Sequence, residues 1–291
     1  ELFNLAKHME KEYVCPLISC LQTILPPTYK PSSSALKELT YKKLKKVFVK
    51  DNIDESKLKP SQLELINKIR NENGIYLKDL PLARINTLKK HDLVYTIEEV
   101  FQEDYFKDYV IENQNIKLNE EQQKAYESII NSDKNVILLQ GVTGSGKTEV
   151  YLNLASYYVS LGQSVVILVP EISLTPMIIQ RFKNRFKDIA VLHGSLSKKE
   201  KQIQYDKIKN QEVKVVIGAR SAVFAPLKNI GLFILDEEQS TSYKQDKSPT
   251  YHAKDIAILR AKSFNAKVVL GSATPSFETK ARAMKGVYKI V

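Results

Sequence analysis

Residues 116–291 are expected to form an α/β fold, a parallel sheet with helices on both faces, and smaller segments precede it. Three observations predict this. Apolar runs of about five residues recur near 136–139, 165–169, 189–192, 213–217, 232–235 and 268–270, alternating with amphipathic stretches long enough for helices. A glycine-rich turn interrupts the chain right after the first run, and the fifth run ends on consecutive acids. Runs that are nearly continuous in apolar residues, with Lys214 the one charge among them, imply strands buried on both faces.

The elements before 116 follow a different pattern. Leu2, Leu5, Met9 and Tyr13 recur near helical period; Leu17, Ile18 and Leu21 continue after Pro16, and Pro26-Pro27 ends the run. Residues 29–34 read as linker, and the opening piece 1–30 reads as too small to fold alone. Between 30 and 50 stand seven Lys and one Glu, interleaved with Tyr41, Leu44, Val47, Phe48 and Val49. That stretch fits either a phosphate-binding stripe or a solvated edge strand guarded by lysines. Pro60 opens a helix carrying Leu63, Leu65, Ile66 and Ile69, which Asn73-Gly74 stops. Short helical pieces begin at Leu77, Leu80 and Leu82, and Ile85, Leu88 and Leu93 set the face of a third helix. Two strands near 93–97 and 99–101 complete a helix-helix-helix-hairpin order, expected to be a winged helix within 31–115. Such modules contact either DNA or protein.

The chemistry lies in the α/β region. Gly141-Val142-Thr143-Gly144-Ser145-Gly146-Lys147-Thr148 fits G-x-x-x-x-G-K-[ST] between an apolar run and a helical pattern with Val150, Leu152 and Leu154. Its glycines let backbone amides wrap a phosphate chain at a helix N-terminus. Lys147 is suited to the β- and γ-phosphates of ATP and Thr148 to Mg²⁺. In Leu232-Phe233-Ile234-Leu235-Asp236-Glu237-Glu238-Gln239 the apolar run delivers two carboxylates, Asp236 and Glu237, to a strand end, where open α/β sheets bind ligands. Asp236 is expected to hold Mg²⁺ and Glu237 to orient or activate the attacking water. Ser272-Ala273-Thr274, at another strand end, has small hydroxyls able to bond to the acidic motif. The fold class is therefore a RecA-like P-loop NTPase sheet with flanking helices, preceded by a small winged-helix domain.

Composition adds bounds. With 44 basic and 33 acidic residues the chain carries +11, which suits a polyanion partner or simply a solvated basic surface. No apolar run is long enough to span a membrane, no secretory pattern opens the chain, and the expected localisation is cytoplasmic. Cys15 and Cys20 are the only cysteines; their C-x4-C spacing lacks a second ligand pair, so two incidental thiols in a reducing compartment are expected rather than a metal site. The chain does not begin with Met and stops soon after Thr274, so it reads as a piece of a longer protein.

The three motifs together resemble helicase superfamily 2. The residues between them resemble its bacterial replication-restart branch, the PriA family: Val169-Pro170-Glu171-Ile172-Ser173-Leu174-Thr175-Pro176, Leu192-His193-Gly194-Ser195, Gly218-Ala219-Arg220-Ser221-Ala222-Val223-Phe224-Ala225-Pro226, Ser242-Tyr243-Lys244-Gln245 and Tyr251-His252-Ala253-Lys254-Asp255. The resemblance is dense over 118–291 and looser over 1–110, where the family has the end of a DNA-binding domain and a winged helix. It implies that Gln122 reads adenine, that Glu171, Ser173, Thr175, His193 and Arg220 line a single-strand track, and that Tyr243 and Tyr251 belong to an aromatic-rich coupling loop spanning 240–252. Those tyrosines either stack on unpaired bases or lie buried beside the acids. The chain departs from the family at Gln239, where it usually has a titratable His, at Ser240 and Thr241, where it usually has Asp-Ser, at Lys254, where it has Arg, and at Gly194, an insertion in its His-Ser segment.

The resemblance further implies ATP-dependent 3′–5′ unwinding at stalled forks by a monomer, with forked and single-stranded DNA, primosome proteins and single-stranded-DNA-binding protein as partners. Zinc is expected in the full-length family but not in this chain. A second lobe is expected to lie outside these residues, so that 1–291 alone would hydrolyse ATP poorly. The alternatives are a superfamily 2 translocase acting on duplex DNA or RNA, and a non-enzymatic fork-binding scaffold that loads the primosome.

Overall fold

The computed structural model describes residues 1–26, 29, 43–51, 53, 58–100, 117–186 and 188–291. They divide into two compact units, one of Glu1–Ala35 with Asp104–Val291 and one of Leu36–Glu103.

The larger unit is built on seven parallel strands: β4 (Val136–Gln140), β5 (Ser164–Leu168), β6 (Ile189–Leu192), β7 (Val215–Gly218), β8 (Ile230–Leu235), β9 (Lys267–Ser272) and β10 (Lys289–Ile290). Their spatial order is β10-β4-β9-β8-β5-β7-β6. Six match the expected runs to within a few residues. Two-residue β10 extends the sheet beside β4 and is too short to leave a sequence signal.

Alternation along the strands divides the core in two, as the two-residue side-chain period requires. Leu138, Val166, Val216, Phe233, Leu235 and Leu270 pack into one layer. Ile137, Leu139, Val165, Ile217, Ile234 and Val269 pack into the other, against α6 (Lys147–Ser160) and α7 (Pro176–Arg185). Helix α9 (Ala253–Phe264) turns Ile256, Ala257 and Ala261 into the first layer and ends on left-handed Asn265. Helices α8 (Lys198–Lys209) and α10 (Phe277–Met284) contribute Ile208 and Ala283 to the same layer.

The opening residues form two helices, α1 (Leu2–Glu12) and α2 (Leu17–Ile24). Leu5, Ala6, Met9, Cys20 and Ile24 are buried in the same core layer as Phe233, Tyr251 and Ile256. Arg260, on α9, is almost fully buried. Its Nε and Nη2 each donate to a Glu1 carboxylate oxygen at 2.9 Å, and its Nη1 donates to the Val223 carbonyl. The expected boundary at residue 30 is corrected accordingly: 1–26 complete this sheet's core. Their apolar stripe was legible, but nothing local names the surface it covers.

The smaller unit holds β1 (Lys43–Val49), α3 (Pro60–Asn71), β2 (Ile75–Tyr76), α4 (Leu82–Lys90) and β3 (Val94–Val100), with a 3-10 turn at Leu77–Asp79 in place of the expected middle helix. The strands pair antiparallel in the order β2-β1-β3. This corrects two expectations. The lysine-rich strand is central, not an edge, and the strands at 93–97 and 99–101 are one strand pairing with β1 over seven residues. Both errors share a cause: β1 finds its partners about thirty to fifty residues away, where no turn signal links them. Residues 30–42 of the basic stretch lie outside the described residues. Val47, Ile66, Ile69, Ile85 and Leu88 form the centre of this unit's core.

Candidate nucleotide site and its coupling network

All the motifs follow strands at one end of the sheet, because every strand is parallel and each motif begins where its strand stops. β4, β9 and β8 are neighbours, so the loops carrying Gly141–Thr148, Ser272–Thr274 and Asp236–Gln239 are brought side by side. β5, β7 and β6 carry Glu171, Arg220 and His193 on the other half of the same edge.

Glycine conformation shapes the phosphate loop. Gly144 and Gly146 adopt φ of +80° and +81°, a region costly for residues with a Cβ. A Cβ on Gly146 would also run into the Gln122 amide, whose Nε2 donates to the Ser145 carbonyl at 2.9 Å. Asn119 and Gln122 form a capping box that opens α5 (Glu120–Ile130) and sets Gln122 against the loop. Lys147 donates to the carbonyls of Gly141 (2.7 Å) and Val142 (3.2 Å). Val142, Thr143 and Gly144 are exposed at the loop's crest, while Ser145, Gly146 and Thr148 are half-buried at the start of α6.

Asp236 sits at the end of β8, where its amide donates to the Leu168 carbonyl at 2.9 Å. Tyr151, one turn after Lys147, donates to Asp236 Oδ1 at 3.0 Å. Burial raises the Asp236 carboxyl above its ordinary range and Glu237 adds to the rise, while the Tyr151 hydrogen bond and the Lys147 charge oppose it. Burial also pushes the Tyr151 and Tyr243 phenols well above their usual values, so both remain donors. Among residues missed from sequence, Tyr151 had the faintest signal: Gly271 on β9 is a glycine because a Cβ there would strike the Tyr151 hydroxyl.

Glu237 is held in the left-handed region, φ +46°, so the chain turns sharply between the acids. Gln239 Nε2 donates to Glu237 Oε2 at 2.7 Å, and Ser272 Oγ donates to Gln239 Oε1 at 2.6 Å. The Thr274 amide donates to Ser272 Oγ at 3.0 Å. A continuous hydrogen-bonded path thus runs from Glu237 through Gln239 to the Ser-Ala-Thr segment, with the Gln amide providing both the donor and the acceptor.

The coupling-loop tyrosines do not offer their faces to a ligand. Tyr243 is 0% exposed and Tyr251 1%. The Tyr243 hydroxyl lies 2.6 Å from the Asp236 carbonyl and 2.9 Å from that of Leu168. Tyr251 packs edge-on against Phe224, and burial pushes its phenol up to about 12. The base-stacking reading of both residues is therefore corrected to buried support, since a ring enclosed by core has no face left for a base. Arg220 Nη1 donates to the Lys244 carbonyl, and its guanidinium lies 5.9 Å from the Tyr251 ring centre. Arg220, half-buried, thus braces the 240–252 loop through the Lys244 backbone.

Of the other residues expected to line a single strand, Glu171 is exposed in a 3-10 turn, its carboxylate where a Cβ on Gly194 would be. Ser173 is half-buried in the same turn, and Thr175 is exposed, its hydroxyl placed to cap α7. His193 is half-buried and accepts at Nδ1 from the Ser195 amide, 3.1 Å away.

The donor set fits a nucleotide with a divalent cation. Two adjacent carboxylates, one raised by burial, gain from a cation that offsets their repulsion. The left-handed glycines and the start of α6 present amides of the kind that bind phosphate. Among the described residues no group of three or more His, Cys, Asp or Glu is gathered so as to hold a metal ion by itself.

Comparison with known proteins agrees with this geometry. The model of the DEAD/DEAH box helicase family matches residues 119–283. The replication restart protein PriA of Bacillus subtilis strain 168 is 47% identical over 219 residues, covering 73% of this chain and 27% of that protein. The PriA of Chlamydia muridarum is 33% identical over 311 residues, covering 100% of this chain and 40% of its own. The chain thus spans less than half the length of either relative. A solved structure of RecG bound to a three-way DNA junction aligns with a TM-score of 0.45 and 26% identity, covering 61% of this chain and 24% of RecG. From the family match over the strands and loops that carry the site, the chain belongs to the DEAD/DEAH box helicase family.

Proposed function

We propose that the chain supplies the ATP-hydrolysing lobe of a DNA helicase that acts in replication restart, unwinding 3′ to 5′ at stalled forks. The path Glu237–Gln239–Ser272 carries the reading most directly, because it ties a water-orienting acid to the segment that would register strand movement. Its relatives named as replication restart proteins support the biological setting.

In this reading the amides of 141–146 and the Lys147 ammonium bind the phosphate chain, and Gln122 contacts adenine. Thr148 and Asp236 hold Mg²⁺, which when bound neutralises charge on the phosphate oxygens. Glu237, whose Oε2 accepts from the Gln239 amide, orients water toward the terminal phosphate. Glu171, Ser173, Thr175, His193 and Arg220 face a single strand. Forked and single-stranded DNA are the proposed nucleic-acid partners, with primosome proteins and single-stranded-DNA-binding protein as proposed protein partners.

The test is ATPase activity of the complete gene product with forked DNA, single-stranded DNA, duplex DNA and RNA, beside a Lys147→Ala variant. Stimulation greatest with forked or single-stranded DNA, lost in the variant, is expected. Equal stimulation by RNA, or fork-restart activity intact in Lys147→Ala, would overturn it.

A further inference from the structure

Glu238 is the acid of the motif that the fold buries. The left-handed turn at Glu237 directs it inward, and its side chain is 0% exposed while that of Lys254 is 7% exposed. Lys254 Nζ lies 3.3 Å from Glu238 Oε2 and 3.1 Å from Thr279 Oγ1. Thr279 Oγ1 donates to the same carboxylate oxygen at 2.9 Å. The Ser276 amide donates to Glu238 Oε1 at 2.7 Å, and Ser276 Oγ lies 3.2 Å from Oε2. The Glu238 amide in turn donates to the Gly271 carbonyl at 3.0 Å, at the end of β9.

Each group in this cluster borders a segment of the site. Glu238 stands between Glu237 and Gln239. Lys254 lies two residues after His252, whose Nδ1 accepts from the Lys254 amide at 3.2 Å at the exit of the coupling loop. Ser276 and Thr279 open α10, just after Ser272 and Thr274. A buried ion pair contributes little net stability compared with apolar packing, because both charges must leave water. What it does impose is geometry: a carboxylate with several fixed donors has one favourable arrangement, and a displaced partner leaves a buried charge uncompensated.

We propose that the Glu238–Lys254 pair is a positioning device that fixes the coupling loop to the Glu237 and Ser272 segments, so that nucleic acid engaged near the loop changes the placement of Glu237. The proposal rests on the helicase reading above. Neither residue touches the nucleotide; both act through the segments they join.

The test uses the complete gene product carrying Glu238→Gln with Lys254→Met, which removes both charges without stranding either, and Lys254→Arg as the conservative control. DNA-stimulated and basal ATPase, Mg·ADP binding and Tm are measured for each. Expected are basal ATPase, binding and Tm near wild type in the double variant, with the DNA stimulation factor down about tenfold, as is typical of site-to-site coupling energies, and stimulation largely restored in Lys254→Arg. A double variant that folds and is stimulated like wild type overturns the proposal. If the double variant does not fold, Thr279→Val removes only the bridging hydroxyl; unchanged stimulation there overturns the proposal, and reduced stimulation at unchanged Mg·ADP affinity supports it. A wild-type protein with no DNA stimulation would refute the helicase reading itself, whatever the variants do.

Discussion

At the scale of single residues, charge and hydrogen-bond capacity govern the site. Lys147→Ala removes the ammonium from the phosphate loop and should lower ATP turnover by about 10²-fold or more, the order found when one preorganised charge-stabilising group is lost; steady-state phosphate release measures it. Asp236 carries a testable conflict between stability and function. Its folded-state pKa is raised, chiefly by burial, so the native state holds its proton more tightly than the unfolded chain does. Stability therefore falls as pH rises from the ordinary aspartate range through the raised value, and Asp236→Asn should raise Tm at neutral pH while abolishing Mg²⁺-dependent nucleotide binding. Thermal melts at acid and neutral pH, with calorimetry of Mg·ADP binding, check both halves. Gln239 makes a different prediction. An amide donates and accepts at every pH, whereas imidazolium cannot accept from Ser272. Gln239→His should keep DNA-stimulated ATPase at pH 8 and lose it as pH falls through about 6.5. The wild-type pH profile should lack that limb.

At the scale of elements, α1 and α2 belong to the sheet's core. Met9 is fully buried there, and Met9→Ala should cost about 2–5 kcal/mol, the range for deleting a large apolar side chain from a packed interior; urea unfolding measures the loss. Deleting residues 1–26 should do more, exposing the apolar counterface and leaving buried Arg260 without the Glu1 carboxylate. A lobe of 117–291 that unfolds at the same temperature without them would show that the helices merely rest on it. The strands were the most legible elements, because six short runs broken by a single charged residue, Lys214, have few other uses in an α/β chain. The helices' partners were not legible, since an apolar stripe records that a surface is covered without recording by what.

At the scale of the whole molecule, the +11 charge predicts a salt-dependent partner. If the chain neutralises several phosphates of single-stranded DNA, log affinity should fall with log salt at a slope of about −0.7 per phosphate. Fluorescence anisotropy at several salt concentrations gives that slope, and a slope near zero would mean the positive charge is only a solvated surface.

The sequence alone determined which three loops gather at the strand ends of the sheet. Gly141–Thr148, Asp236–Glu237 and Ser272–Thr274 each carry their chemistry locally: glycines let a loop wrap phosphate, and Asp236 and Glu237 stand at a strand end, where open α/β sheets bind ligands. Tertiary structure alone decided what is long-range. It turned Tyr243 and Tyr251 from candidate stacking surfaces into core, made β1 a central strand, seated α1 and α2 on the sheet, and closed Glu238 onto Lys254 and Thr279. The physical reason is that burial and pairing are relations between distant segments, whereas a motif's spacing records only the chemistry of its own loop.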